Sequence, residues 1–350
     1  MEILDLIQSN LLTPIVLFFL FGIVAARVKS DLRIPDAISE FLPIYLLAAI
    51  GLHGGIEMRN TGLGQIAAPM AVAVALSLLF TLNHYWILRR LGRFNMYDSY
   101  ALASTYGAVG AVTFSVGLSF LAGQGLESEG YLAAVLAVLE PAAFILAIFM
   151  ANMAAARQAR KRGPGGGPAG GPAGGPAGAP RPRMASVLRQ SVTGKAIAVL
   201  LGSIVIGYII GKEGFEPISV VFDEMFVGAI VIFMIEMGVI AGRRLGDIRE
   251  VGVFLTSFAV AVPTLNGLVG VLAATALGLS TGGAVMFGLL LASASFIAAP
   301  AVLRHAIPEA RPGLYITSAL GITFPYNIIV LLPVMLAASV WAHGLVGGTP

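Results

Sequence analysis

The chain has 350 residues, of which 57% are hydrophobic and 11% charged, with a formal net charge of +3 and no cysteine. A soluble domain carries about 25% charged residues to hold its surface in water, so a chain this apolar can place its side chains only in lipid. Without cysteine, a disulfide framework and a thiolate metal site are both excluded.

The N-terminal MEILDLIQSN is acidic, with no basic region and no small-residue cleavage site. A secretory signal peptide is therefore not expected, and the first apolar segment should be retained. A membrane span needs about 20 apolar residues, because a helix rises about 1.5 Å per residue across about 30 Å of hydrocarbon. Ten stretches are candidates for such spans. The first five run from Leu11 to Val28, Leu42 to Met58, Ile66 to Leu88, Tyr97 to Leu121 and Tyr131 to Met153. The second five run from Ala196 to Ile210, Met225 to Ala241, Val251 to Ala276, Gly283 to Leu303 and Leu314 to Ala342. Between the two sets lies GPGGGPAGGPAGGPAGAPRPR, starting at Gly163. Gly and Pro deny this segment a helix or strand, and it has nothing apolar to bury, so it reads as a disordered cytoplasmic linker. The expected organisation is a first unit over residues 1–156, a linker over 157–190 and a second unit over 191–350.

Basic residues follow the odd-numbered stretches. Arg27, Lys29 and Arg33 follow the first, Arg89, Arg90 and Arg93 the third, and Arg243, Arg244 and Arg249 the seventh. The other side carries Glu2, Asp5, Glu127, Glu129, Glu213 and Glu216, with only Arg59 and Lys212 against them. The positive-inside rule then places both termini outside a bacterial inner membrane. The halves also repeat. Leu63-Gly64-Gln65-Ile66 matches Leu245-Gly246-Asp247-Ile248, and Tyr131 with Pro141 matches Tyr315 with Pro325 at the same spacing. Five spans per half is an odd number, so the second half enters from the opposite face. The expected fold is an all-α polytopic membrane protein of ten transmembrane helices in a 5+5 inverted repeat, an arrangement found in secondary transporters.

Transporter sites form near the midplane, where helices break and expose backbone groups. The fourth stretch holds Ser104-Thr105-Tyr106-Gly107-Ala108-Val109-Gly110-Ala111-Val112-Thr113, and the ninth holds Ala292-Ser293-Ala294-Ser295-Phe296-Ile297-Ala298-Ala299-Pro300. Small residues permit close approach, Pro300 removes an amide donor, and half-helix N-termini offer partial positive charge to an anion. The substrate-binding candidates are Gly107, Ala108, Val109, Gly110, Thr113, Ser293, Ala294, Ser295 and Phe296. Ordinary small-residue helix packing is the competing reading. Glu140, directly before Pro141, and Glu236 are intramembrane acids, suited to carrying a coupling proton or ligating a cation, or else to a protonated structural role. The hydroxyls of Ser104, Thr105, Ser115 and Thr323 complete the ion-coupling candidates. Asn83, Asn266 and Asn327 suit helix–helix hydrogen bonds, and Tyr85 and Trp86 suit an interfacial aromatic belt. Neither H-E-x-x-H, nor a P-loop, nor G-x-S-x-G occurs, so no enzyme motif competes with transport. A membrane sensor or scaffold is the non-transporting alternative.

Four segments carry a family resemblance: IPDA from Ile34, GLHGGIEMRN from Gly51, YGAVGAVTF from Tyr106, and LRHAIPEARPGLYITSALGITFP from Leu303. In them the chain resembles the SbtA-type sodium-dependent bicarbonate transporters. The resemblance implies a gate subdomain of spans 1, 2, 6 and 7. It implies a core subdomain of the other six, with spans 4 and 9 broken and crossing at the substrate. It also implies a homotrimer, sodium as the coupling ion, bicarbonate as substrate and a cytoplasmic PII-like regulator. The chain departs from the family in the ninth span. A hydroxyl-rich S-S-S-S-D-I-S-G run is replaced by Ala292 to Ala299, so Phe296 stands in place of the acid. In the fourth span S-G-S-T becomes Gly110-Ala111-Val112-Thr113. Glu236 stands where the family has an apolar residue, and Glu140 lies one position from a family acid.

Overall fold

A computed structural model describes residues 3–61, 63–162 and 195–346. Among these residues the regular structure is helical, with no strand. The expected linker, residues 157–190, falls largely outside the described residues. Helix α1 (Ile3–Leu11) meets α2 (Pro14–Arg27) at a bend of 65°. Pro14 lacks the amide that would continue α1, and its fixed φ suits the first position of a new helix. Helices α3 (Asp36–Asn60), α4 (Leu63–Arg90), α5 (Met96–Gly107), α6 (Ala111–Gly123) and α7 (Leu132–Arg162) follow. After the linker come α8 (Lys195–Phe215), α9 (Phe226–Arg244), α10 (Ile248–Ala276), α11 (Thr281–Ala292) and α12 (Ala298–Ala306). The last helix, α13 (Pro312–Leu345), contains two π turns, Ala319–Thr323 and Asn327–Leu331.

Among the described residues, eight helical stretches are long and apolar enough to cross a membrane, and a ninth is gained if the bent α1–α2 pair counts as one span. The ten stretches read from hydropathy differ from this in one place. The ninth, Gly283 to Leu303, consists of α11 and α12, each too short to cross alone. The fourth is also interrupted, between α5 and α6 at Ala108 to Gly110. Proline inside α3, α4, α7 and α10 does not interrupt those helices.

The helices sort into two groups by packing. In one, α2 lies along α9 and α3 along α8, so each pair takes one helix from each half of the chain. Glycine makes these contacts close. A Cβ on Gly238 would overlap the Phe19 carbonyl oxygen, one on Gly55 that of Ile204, and one on Gly207 that of Leu52. In lipid the gain from such an interface is van der Waals packing, since hydrocarbon solvates leucine as well as a neighbouring helix does. Gly238→Ala is therefore expected to lower the thermal unfolding midpoint in detergent, through overpacking worth about 1–3 kcal/mol. An unchanged midpoint would contradict this packing.

The second group is α4, α5, α7, α10, α11 and α13. Buried side chains tie it together across the two halves. His84 of α4 meets Asn266 of α10 at 3.0 Å through its Nε2. Thr323 donates to the Ala259 carbonyl at 2.7 Å. Its single proton is thereby used, so Tyr106 of α5 must donate in the 2.8 Å bond between the two hydroxyls. In a medium without water, each of these groups needs a protein partner.

Candidate functional site

The two helix breaks meet. Ser295 N donates to the Thr105 carbonyl at 2.9 Å, and Gly110 N donates to Ser293 Oγ at 2.9 Å. Breaking a helix in lipid leaves backbone groups without partners, and here each break supplies what the other lacks. Neighbouring helices satisfy the remaining half-helix ends. Ser77 Oγ donates to the Gly107 carbonyl at 2.9 Å, and Asn327 Nδ2 to that of Ala292 at 3.0 Å. Asn327 opens the second π turn of α13, where the widened helix brings a side chain to the break.

Acids hold the outer ends of both half-helices. Asn95 Oδ1 caps α5 by accepting from Asp98 N at 2.9 Å. Asp98, only 1% exposed, accepts from Arg311 N at 2.8 Å, Nε at 2.8 Å and Nη2 at 2.7 Å. At the other end of the core, Glu129 accepts from Ser280 N at 2.7 Å and Ser280 Oγ at 3.2 Å, beside the first turn of α11. Carboxylates are favoured at helix N-termini, so the half-helices are pinned to the loops that precede α13 and α7. Arg311→Met leaves the buried Asp98 carboxylate short of two charge-assisted bonds. It should cost about 2 kcal/mol, read as a lower unfolding midpoint in detergent. Asp98→Asn added to Arg311→Met should cost less than the two single changes summed.

A small, mostly enclosed cavity lies where the breaks cross. The first break contributes Gly110, Ala111, Val112 and Ser115, and the second Ser295, Phe296, Ile297 and Ala298. Pro43, Leu46 and Leu47 of α3 line it as well, and α7 contributes Glu140. Helices α6 and α12 begin at Ala111 and Ala298, so two helix N-termini face one space. In α12, Ala299 N is taken by Ser295 Oγ and Pro300 has no N–H, so amide donors come mainly from α6, with Ala298 N beside them. The amides of a first turn have no partners within their own helix, and the dipole makes that end positive. Among the described residues, no Lys, Arg or His lines the cavity. Glu140 is 3% exposed, and its Oε2 is buried without a hydrogen-bond partner among the described residues. Ser295 Oγ accepts from Ala299 N at 3.2 Å, which leaves its proton for a ligand.

Of the residues expected from sequence to bind substrate, Gly110, Ser295 and Phe296 line the cavity. Ser293 supports it from behind through its bond to Gly110. Thr113 lies beside the Gly110 Cα, and Ala108, Val109 and Ala294 are buried in the crossing. Gly107 faces elsewhere, tight against Thr81 and Ala143, and so serves the packing of α5 on α4 and α7. Of the ion-coupling candidates, Glu140 and Ser115 reach the cavity. Thr105 donates to the Ala101 carbonyl at 2.9 Å, Ser104 Oγ is buried without a hydrogen-bond partner among the described residues, and Thr323 is occupied by Tyr106 and Ala259. Glu236 of α9 is half-buried in the other helix group, bonded to Ser39 Oγ of α3. Phe296 packs edge-on against Phe324, with centroids 5.1 Å apart, and Phe324 against Phe19, with centroids 5.6 Å apart. This aromatic column offers no oxygen to a cation.

Sequence reasoning missed the α3 wall. Pro43, Leu46 and Leu47 are ordinary apolar residues of a span, and nothing local separates one that faces a cavity from one that faces lipid. It also missed the Asp98–Arg311 tether, whose partners are far apart in the chain. A wider, acid-lined vestibule lies between α3, α6 and the turn before α9, with His53, Glu57, Glu127, Glu129 and Asp223 on its walls. His53 Nε2 contacts Asp223 Oδ1 there at 2.5 Å.

In comparison with known proteins, a family model described as the Na+-dependent bicarbonate transporter superfamily matches residues 14–339. No curated protein matches the chain.

Proposed function

This chain belongs to the Na+-dependent bicarbonate transporter superfamily, and we propose that it is a secondary transporter of a small monovalent oxyanion, with bicarbonate as the family's candidate. The observation that carries this reading is the convergence of two half-helix N-termini on one enclosed cavity. Such ends bind anions without a fixed cation, through backbone amides and the helix dipole. The proposed architecture is ten spans in a 5+5 inverted repeat in a bacterial inner membrane, with both termini periplasmic. The α2, α3, α8 and α9 group is then the gate and the other group the core. A homotrimer and a cytoplasmic PII-like regulator belong to the same proposal, on the resemblance alone.

Coupling is proposed to involve Glu140. A hard cation such as sodium needs oxygen ligands and nearby negative charge to offset desolvation. Phe296 supplies neither where the family carries an acid. Ser115, Ser295 and main-chain carbonyls support at most a weakly charged sodium site. Glu140 supplies the one titratable group of the cavity wall among the described residues, which favours a proton as coupling ion, with sodium as the alternative.

The test is uptake of labelled bicarbonate into proteoliposomes carrying the purified full chain, under an imposed proton gradient and, separately, a sodium gradient. Accumulation above protein-free vesicles under either gradient supports transport, and the gradient that drives it identifies the coupling ion. No accumulation of bicarbonate, nitrite, formate or acetate under either gradient would overturn the proposal in favour of a sensor or scaffold.

A further inference from the structure

Once its anion-binding end is accounted for, the cavity retains a wall that an all-oxygen anion does not match. Pro43, Leu46 and Leu47 of α3 enter it as hydrocarbon, and Val112, Phe296 and Ile297 add apolar surface from the breaks. Among the described residues, only Ser115, Ser295 and Glu140 bring polar side chains. Ser115 Oγ already donates to the Ala111 carbonyl at 3.1 Å. The polar capacity of the site is therefore concentrated at the first-turn amides of α6, the Ala298 amide, Ser295 and Glu140.

Bicarbonate carries three oxygens and no hydrocarbon. With two oxygens on the helix N-termini, its third must lie against carbon or compete for Ser295 and Glu140. A group that leaves its hydration shell without a new partner is penalised. A short aliphatic monocarboxylate has the same two-oxygen head and puts hydrocarbon where bicarbonate has its third oxygen. From this juxtaposition of a polar end and a hydrocarbon wall, we infer that the site selects small aliphatic monocarboxylates of the acetate and propionate class over bicarbonate. Phe296 and the α3 wall are the specificity-determining residues. The inference rests on the reading of this cavity as the transport site.

Phe296 is suited to the role because it is held in place. It is 8% exposed, and its contact with Phe324 fixes the ring at the cavity edge. The aliphatic tail has a limit, since the cavity is small and enclosed. Each methylene buried against the wall should tighten binding about fourfold until the space is filled.

The experiment is equilibrium dialysis of the purified full chain in detergent against labelled formate, acetate, propionate and bicarbonate. Measuring binding avoids the passive leak of weak acids through vesicles. Acetate should bind about fourfold tighter than formate, propionate should bind at least as tightly as acetate, and both should exceed bicarbonate. Leu47→Ser and Phe296→Ser should each shrink the acetate-to-formate ratio toward one. Should a variant fail to elute as a folded species, the wild-type chain-length series decides by itself. A flat series, or bicarbonate bound more tightly than acetate, overturns the selectivity inference and leaves anion transport standing. No binding of any of the four by folded protein overturns both.

Discussion

Gly110→Val is expected to abolish anion uptake in proteoliposomes while the protein still inserts and elutes as a folded species. Gly110 has φ −102° and ψ 106°, an extended conformation that valine adopts freely, so backbone strain does not enter. The cost is space. A Cβ there would lie 2.9 Å from Thr113 Oγ1 and 3.0 Å from the Ala294 carbonyl oxygen. The two methyls beyond it would occupy the cavity in front of the α6 amides. Helix N-termini bind an anion only at hydrogen-bonding distance, so a displaced ligand loses those bonds. Uptake should fall by at least about a hundredfold, since two lost charge-assisted bonds are each worth about 1.5–3 kcal/mol. Gly110→Ala should fall between wild type and Val. Uptake by the Val variant at the wild-type rate would move the site away from this crossing.

Glu140→Gln is expected to uncouple anion movement from the proton gradient. Among the described residues the cavity is lined by no cationic side chain, so an ionised Glu140 would face the bound anion directly. Two like charges about 4 Å apart repel by about 4 kcal/mol at an effective dielectric of 20. That corresponds to about a thousandfold in affinity. On the proposed mechanism the anion should enter with a proton on Glu140, and anion binding by the wild type should weaken as pH rises. Glutamine keeps the shape and is permanently neutral. The variant should still exchange labelled for unlabelled anion, at a rate insensitive to pH, but should not accumulate it under a proton gradient. The readout is counterflow compared with accumulation driven by a pH step. A Gln variant that accumulates as the wild type does, with the same pH dependence, would remove Glu140 from the coupling step. Glu236→Gln is the matching control, because its carboxyl bonds Ser39 between α9 and α3 and does not line the cavity.

The pairing of Phe296 with Glu140 gives these two results a common logic. Where the family resemblance places an acid, this chain has an aromatic ring packed against Phe324, and the acid of the cavity wall comes from α7 instead. The acid that the resemblance places in the ninth span is thus absent, and Glu140 on α7, one position from a family acid, is the carboxyl left at the crossing. A carboxyl that can be neutralised by a proton is compatible with both an empty and an occupied anion site. A bare ring is compatible with a ligand that carries hydrocarbon.

Much of this protein was legible in its residues alone. Mean apolarity over windows of span length required membrane-crossing helices, because that signal is local and additive. The two breaks were legible for a similar reason. Gly107 to Gly110 and the small-residue run ending at Pro300 weaken a helix through properties of their own backbone. Glu140 stood out because a carboxyl in a span needs an explanation wherever it points. Which groups meet across the fold was decided only by the tertiary structure. The bonds from Ser295 to Thr105 and from Gly110 to Ser293 join residues far apart in the chain. Gly107 and Gly110 look alike in sequence, yet one packs on Thr81 and the other opens on the cavity. The α3 wall, the π turns of α13 and the Ser39 partner of Glu236 were equally hidden. In a soluble helix, polar and apolar faces announce rotation through their periodicity. In a membrane both the lipid and the protein interior are apolar, so the sequence of a span carries little record of the way it is turned, and helix packing alone assigns its faces.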